Sequence, residues 1–185
     1  DFRSKLLFES FSFDNNRFDT NWLTHPVAGF FYYKAARGNR MGILPAFAFA
    51  FTSSTLWEFV GEIREQVSAN DLISTPMSGL ALGESTTQIG ALLHRSRPTI
   101  PAKVFGWIFA PFKSGHDAID GLEVPRPVAY DDLGFPADVW HRFRIGASAG
   151  VTHQEDGPTQ VDGRVAFDTR IVTLPSYGRA ARTSA

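Results

Sequence analysis

Apolar positions recur with helical spacing through roughly the first two thirds of the chain and alternate with period two in the last third. Near the N-terminus, Leu7, Phe8 and Phe11 fall on one helical face, and Asp14-Asn15-Asn16 reads as a turn. His25-Pro26 has the form of a helix start, with proline tolerated in the first turn, and the helix should stop at Gly38-Asn39. The segment from Ile43 to Glu62 is the most apolar in the chain. Phe47, Phe49 and Phe51 alternate as in a strand, but the length, the alanines and the continuation to Glu62 favour a helix. At roughly 18 residues it is near the lower limit for a membrane span. Ser53, Ser54, Thr55 and Glu58 make a buried core helix, or a helix inside an envelope structure, the better reading.

Ser68-Ala69-Asn70-Asp71 then predicts a new helix, capped by Ser68 or Asn70 and running through Gly79 and Gly83 to about Arg95. Pro98 and Pro101 should break the chain, and Pro111 should interrupt an amphipathic piece over 102–120. The texture changes in residues 140–153 and 163–174. Phe143, Ile145, Ala147, Ala149 and Val151 share one face of the first segment, and Val165, Phe167 and Ile171 one face of the second. Arg142, Arg144, Asp168 and Arg170 take the other face, and turn chemistry over 154–162 joins the two as a β-hairpin. A lone hairpin is barely stable, so it should dock on helices, pair with another chain or, the favoured option, begin a barrel continuing past Ala185.

The expected fold is therefore mainly α, four to five helices with a close-packed central pair, followed by a β-hairpin. The expected divisions are a helical domain over 1–121, a linker over 122–138, the hairpin over 139–176 and a flexible tail over 177–185.

Steps of four sharpen the central pair. Ala46, Ala50, Ser54, Glu58 and Glu62 form a small-residue stripe that turns acidic, and Thr75, Gly79, Gly83 and Thr87 form a second stripe. Such stripes let helix backbones approach closely. Antiparallel packing through residues 63–70 would bring Glu58 and Glu62 near Asp71 and Thr75. Confined carboxylates raise one another's pKa, so the cluster must hold a proton, meet a cation such as Arg37, Arg64 or His25, or bind a metal. The simpler reading makes Asp71 a capping residue, leaves Glu62 and Glu65 in water and buries only Glu58 with a partner. His25, before a proline, is a candidate base or ligand, or a helix-start residue bonded to a buried carboxylate. His94, His116, His141 and His153 lack metal-ligand spacing and are expected at the surface.

Composition changes this picture in three places. Phenylalanine is counted 17 times against 4 tryptophans and 4 tyrosines, which suits packing against lipid or a thick core. A formal net charge of −1 gives no field that would recruit nucleic acid. The absence of cysteine removes disulfides and thiol chemistry. The chain opens at Asp1 directly in a Phe-rich segment, as expected of a processed chain or a fragment. No nucleophile elbow, phosphate loop, dinucleotide fingerprint or zinc-binding H-E-x-x-H is present, and no cofactor or dedicated metal site is expected.

Three polar signatures occur in order: NWLTHPxxGxxYxxAAR over 21–37, WEFxGE over 57–62 and NDLIxTPxxGxALGE over 70–84. Together they resemble an uncharacterised bacterial family, a domain of unknown function in outer-membrane or periplasmic proteins, over roughly residues 10–121. The Glu58, Glu62, Ser68-to-Asp71 arrangement is also similar, more weakly, to VanZ-like membrane proteins. The family resemblance implies β-barrel-like strands after the helices and no established activity. His25, Arg37, Glu58, Glu62, Asn70, Asp71 and Glu84 match its polar motifs.

Three functions are then in competition. The first is a non-enzymatic outer-membrane protein whose helices plug or cap a barrel, with lipid or the rest of the barrel as partner and homo-oligomers allowed. The second is an envelope enzyme acting on lipid or cell-wall precursors, with His25 as base and Glu58, Glu62 and Asp71 as acid–base groups or ligands of a hard cation. The third is a lipid- or small-ligand-binding module with the Phe-rich helix as one wall.

Overall fold

The computed structural model describes residues 2–7, 9–13, 19–62, 64–153, 157 and 159–173. It is mainly helical with a C-terminal antiparallel strand pair, and it divides into two units, 1–126 and 127–185.

In the first unit, α1 (Phe2–Leu6) leads to a two-residue strand, β1 (Phe11–Ser12), which pairs in parallel with β2 (Val67–Ser68). Phe11 thus lies on a strand and shares no helical face with Leu7; Phe8 and 14–16 lie outside the described residues. A π-helical turn at Thr20–Thr24 runs into α2 (His25–Gly38), with Pro26 in its first turn, where the missing N–H costs nothing. The chain then turns through Arg40 in the left-handed region. α3 (Ile43–Leu56) also passes into a π-helical turn, Trp57–Gly61.

Ser68 caps α4 (Ala69–Ser78), its Oγ accepting from the Asp71 N–H at 3.2 Å. Pro76 lies inside α4 and lacks the N–H that the ladder needs; the next turn, Gly79–Gly83, is π-helical before α5 (Glu84–Arg95). Pro101 starts a helix rather than breaking the chain: it sits in the first turn of α6 (Ile100–Phe109), which Thr99 caps through the Ala102 N–H. α7 (Pro111–Ile119) completes the unit.

α2 is the axis of this unit. Tyr33 and Ala36 on α2 form its apolar core with Ala46 and Ala50 of α3. The glycines of the second stripe make their close approach to α2, not to α3. A Cβ on Gly29 would overlap the Thr75 carbonyl, and one on Gly79 would lie 2.5 Å from the Gly29 carbonyl oxygen. Gly83 faces the Tyr33 ring in the same way. At this crossing glycine is a packing requirement.

In the second unit, β3 (Trp140–Thr152) and β4 (Gln160–Val172) pair antiparallel from Trp140↔Val172 to Thr152↔Gln160. The register puts Ile145 opposite Phe167 and Ala147 opposite Val165 on one face, and Arg144 opposite Asp168 on the other. Part of the expected linker belongs to this unit. Residues 130–136 form a turn in which the Asp131 carboxylate accepts from the Leu133 and Phe135 N–H groups. Phe135 packs against His141 and Phe143. His141 is therefore largely buried, 3.5 Å from Asp131, and not at the surface. Residues 174–185, with the expected tail, lie outside the described residues.

Candidate functional site

Each end of α2 holds a polar cluster built on carboxylates, partly buried at the C-terminal end and fully buried at Glu58 and Asp71 at the N-terminal end. At the C-terminal end, Glu84 opens α5. Its Oε2 accepts from Tyr33 Oη at 2.7 Å and from Arg37 Nε at 2.8 Å, while Oε1 accepts from Arg37 Nη2 at 3.2 Å and from Gln88. Arg37 also donates to the Met41 carbonyl. Burial pushes the Glu84 carboxyl up, but these hydrogen bonds and the Arg37 charge outweigh it and hold the group below its ordinary value. Burial, with Glu84 alongside, raises the Tyr33 phenol well above its ordinary range. Nearby, Lys34 is buried and donates to Thr86 Oγ1 and the Phe109 carbonyl; burial lowers it to about 8.

The N-terminal end is arranged differently. Glu58 is 1% exposed and Asp71 1% exposed. Glu58 Oε2 accepts one hydrogen bond, from the Ser68 N–H at 2.9 Å. Lys5 reaches this end, but its ammonium donates to the backbone carbonyls of Glu58 and Glu62, at 2.7 and 2.6 Å. Burial raises the Glu58 carboxyl to about 7; the Glu62 and Asp71 charges add to the shift, and the Ser68 N–H and Lys5 oppose it. His25 Nε2 stands 3.4 Å from Asp71 Oδ2 without a hydrogen bond of good geometry. Ser54 Oγ donates to the Asp71 carbonyl at 3.3 Å. Glu62 is only partly buried and accepts from Trp57 Nε1 at 2.9 Å.

A cavity of about 260 Å³ opens between these groups. Thr20, Thr24, His25, Ala28, Tyr32, Ser54, Trp57, Glu58, Glu62 and Thr75 line it. Thr20, Thr24, Trp57 and Glu58 belong to π-helical turns, and such turns recur at functional sites. The structure thus brings His25, Glu58, Glu62 and Asp71 to one place, with Asn70 at the adjacent cap, donating to Asp71 Oδ1 at 3.4 Å. It puts Arg37 and Glu84 in the other cluster. Among the described residues no group of three or more His, Asp or Glu side chains is arranged to hold a metal ion.

Two participants carry little sequence signal. Lys5 is one of two cations, with Arg3, in a Phe-rich stretch, and it meets Glu58 only through tertiary packing. Tyr33 and Glu84 are 51 residues apart. His94 is also not a surface residue: its ring is half-buried against Ser114 at 2.7 Å, and burial lowers its pKa.

The family model for a domain of unknown function, DUF3943, matches residues 10–112, more than half of the chain. The chain belongs to this family. The match covers both carboxylate clusters, the cavity and all of α6, and ends at the start of α7. No curated protein and no solved structure matches the chain.

Proposed function

We propose that this DUF3943 protein is a membrane-associated protein of the bacterial envelope, with its helical unit seated on lipid and its hairpin contributing two strands to an outer-membrane β-barrel. One observation carries the reading: α3 and its π turn have inverted polarity. The side chains they bury, Ala46, Ala50, Ser54 and Glu58, are small or polar, as are Asp71 and Thr75 buried on α4. Leu44, Phe51, Leu56, Trp57 and Val60 of the same helix point outward, as do Ile100, Val104 and Trp107 on α6. Large apolar side chains exposed in such number mark a membrane or protein contact. The apolar exterior favours lipid over the polar lumen of a barrel as its surroundings.

Length bears on how the unit sits. Among the described residues only Ile43–Gly61, 19 residues, is long and apolar enough to cross a membrane. α2, which packs beside it, has 14 residues and carries Lys34 and Arg37. A seat in the interface fits better than a spanning bundle. For the hairpin, 13-residue strands exceed the length a barrel strand needs, and Ile145, Val151, Val165 and Phe167 are exposed on one face.

Flotation with phosphatidylethanolamine–phosphatidylglycerol vesicles tests the seat. The protein is expected to rise with the lipid, with brominated acyl chains quenching its tryptophan emission. A monodisperse, detergent-free protein that stays at the bottom of the gradient would overturn the proposal.

A further inference from the structure

The cavity at the N-terminal end of α2 combines three features. The first is spare acceptor capacity: Glu58 and Glu62 line it, each accepting a single hydrogen bond, from the Ser68 N–H and from Trp57 Nε1, while the Lys5 ammonium goes to backbone oxygens. The second is an unpartnered hydroxyl. Thr87, Ser96 and Ser114 each donate to the carbonyl four residues back. Thr75, 3% exposed, does not: Ser54 already occupies the Asp71 carbonyl, and Thr75 Oγ1 is left without a hydrogen bond on the cavity wall. A buried hydroxyl without a partner is destabilising, and an occupant that accepts from it or donates to it recovers that loss. The third is an apolar and aromatic wall, Ala28, Tyr32 and Trp57.

We propose that this cavity binds a small primary ammonium compound with a short apolar body, the ammonium meeting Glu58 and Thr75 and the body lying along Ala28, Tyr32 and Trp57. Carboxylate, hydroxyl acceptor and aromatic faces together are what an alkylammonium requires. A hard divalent cation needs several oxygen ligands converging on one point, which the described residues do not supply. The volume, about 260 Å³, falls just below the roughly 300–1,000 Å³ of drug-sized pockets and suits a compact ligand. A bound cation also resolves the frustration at Glu58 by favouring its ionised form. Lys5 from α1, His25 from α2, Glu62 beyond α3 and Asp71 from α4 are the charged or titratable groups facing it. Ammonium binding therefore strengthens as pH rises through the free carboxyl's value of about 7 and levels off above it.

The inference does not depend on the membrane seat, and its test is separate. The whole chain, in an uncharged detergent at about pH 8, is titrated calorimetrically with n-hexylammonium chloride and, as the neutral isostere, with 1-hexanol. Saturable one-to-one binding of the ammonium is expected, at least about tenfold tighter than the alcohol. Thr75→Val should weaken it several-fold and Glu58→Gln about tenfold or more. If Glu58→Gln does not fold, the pH dependence of ammonium binding to the unaltered protein reads the same carboxylate. Equal affinity for alcohol and ammonium, uptake that does not saturate, or affinity unmoved by pH and by Thr75→Val would each overturn the assignment, as would no binding at all. Flotation without ammonium binding sinks only this inference, and ammonium binding without flotation sinks only the membrane reading.

Discussion

The two ends of α2 solve the same problem in opposite ways. At one end Glu84 is partly buried, and Arg37, Tyr33 and Gln88 all donate to it. At the other, Glu58 is buried deeper and accepts one backbone N–H, while its nearest cation donates elsewhere. Burial raises both carboxyls; partners decide the outcome, so Glu84 ends below its ordinary value and Glu58 well above. A paired carboxylate holds helices together, whereas an unpaired one beside a cavity is held ready for something else.

The largest expected effect comes from breaking the paired end. Arg37→Met leaves Glu84 and the Tyr33 hydroxyl facing an uncharged side chain. It should cost about 3 kcal/mol in urea unfolding, the lower end for a broken buried pair because Arg37 keeps some access to solvent. Glu58→Gln, the matching change at the other end, should cost under about 1 kcal/mol near pH 5, because an amide oxygen still accepts from Ser68. A comparable loss from both substitutions would erase the contrast.

The pH dependence sharpens it. Glu58 has a raised folded value, so its contribution is fully present below 4.5 and is lost as pH rises through about 7. Glu84 has a lowered one, so its contribution is present above 4.5 and is lost as pH falls. Counting these two groups, stability declines between about pH 5 and 7, and Glu58→Gln should flatten that decline while leaving the acid limb in place. A wild-type unfolding midpoint constant across that interval would contradict the Glu58 assignment.

At the paired end itself Tyr33→Phe should have a much smaller effect than Arg37→Met, about 1 kcal/mol, since it removes one of several donors to Glu84 and keeps the ring against Gly83. A loss as large as that of Arg37→Met would mean that the phenol, not the guanidinium, anchors that end.

Local rules made much of this legible. Ser68 as a cap, Pro26 in a first turn and the step-of-four row from Ala46 to Glu58 are each written within a few residues. The row is buried as its spacing implies. The hairpin alternation also matches the register. The central role of α2 was hidden because its buried positions, Gly29, Tyr33, Lys34 and Ala36, mix glycine, aromatic and charged residues. Hydropathy reads no continuous stripe there, so periodicity paired the second glycine row with the Ala46–Glu58 stripe, whereas its glycines pack against Gly29 and Tyr33 of α2. Where Lys5 goes is decided by packing across 53 residues, which no local pattern encodes.

The crossing of Gly29 and Gly79 also limits how the molecule can move. With backbone against backbone there is no side-chain cushion, and sliding α2 along α4 would drive carbonyl oxygens into neighbouring chain atoms. The two helices act as a fixed axle. Any breathing that admits a guest to the cavity is thereby left to its other walls, among them the π-helical turns at Thr20–Thr24 and Trp57–Gly61, which the glycine contact does not pin.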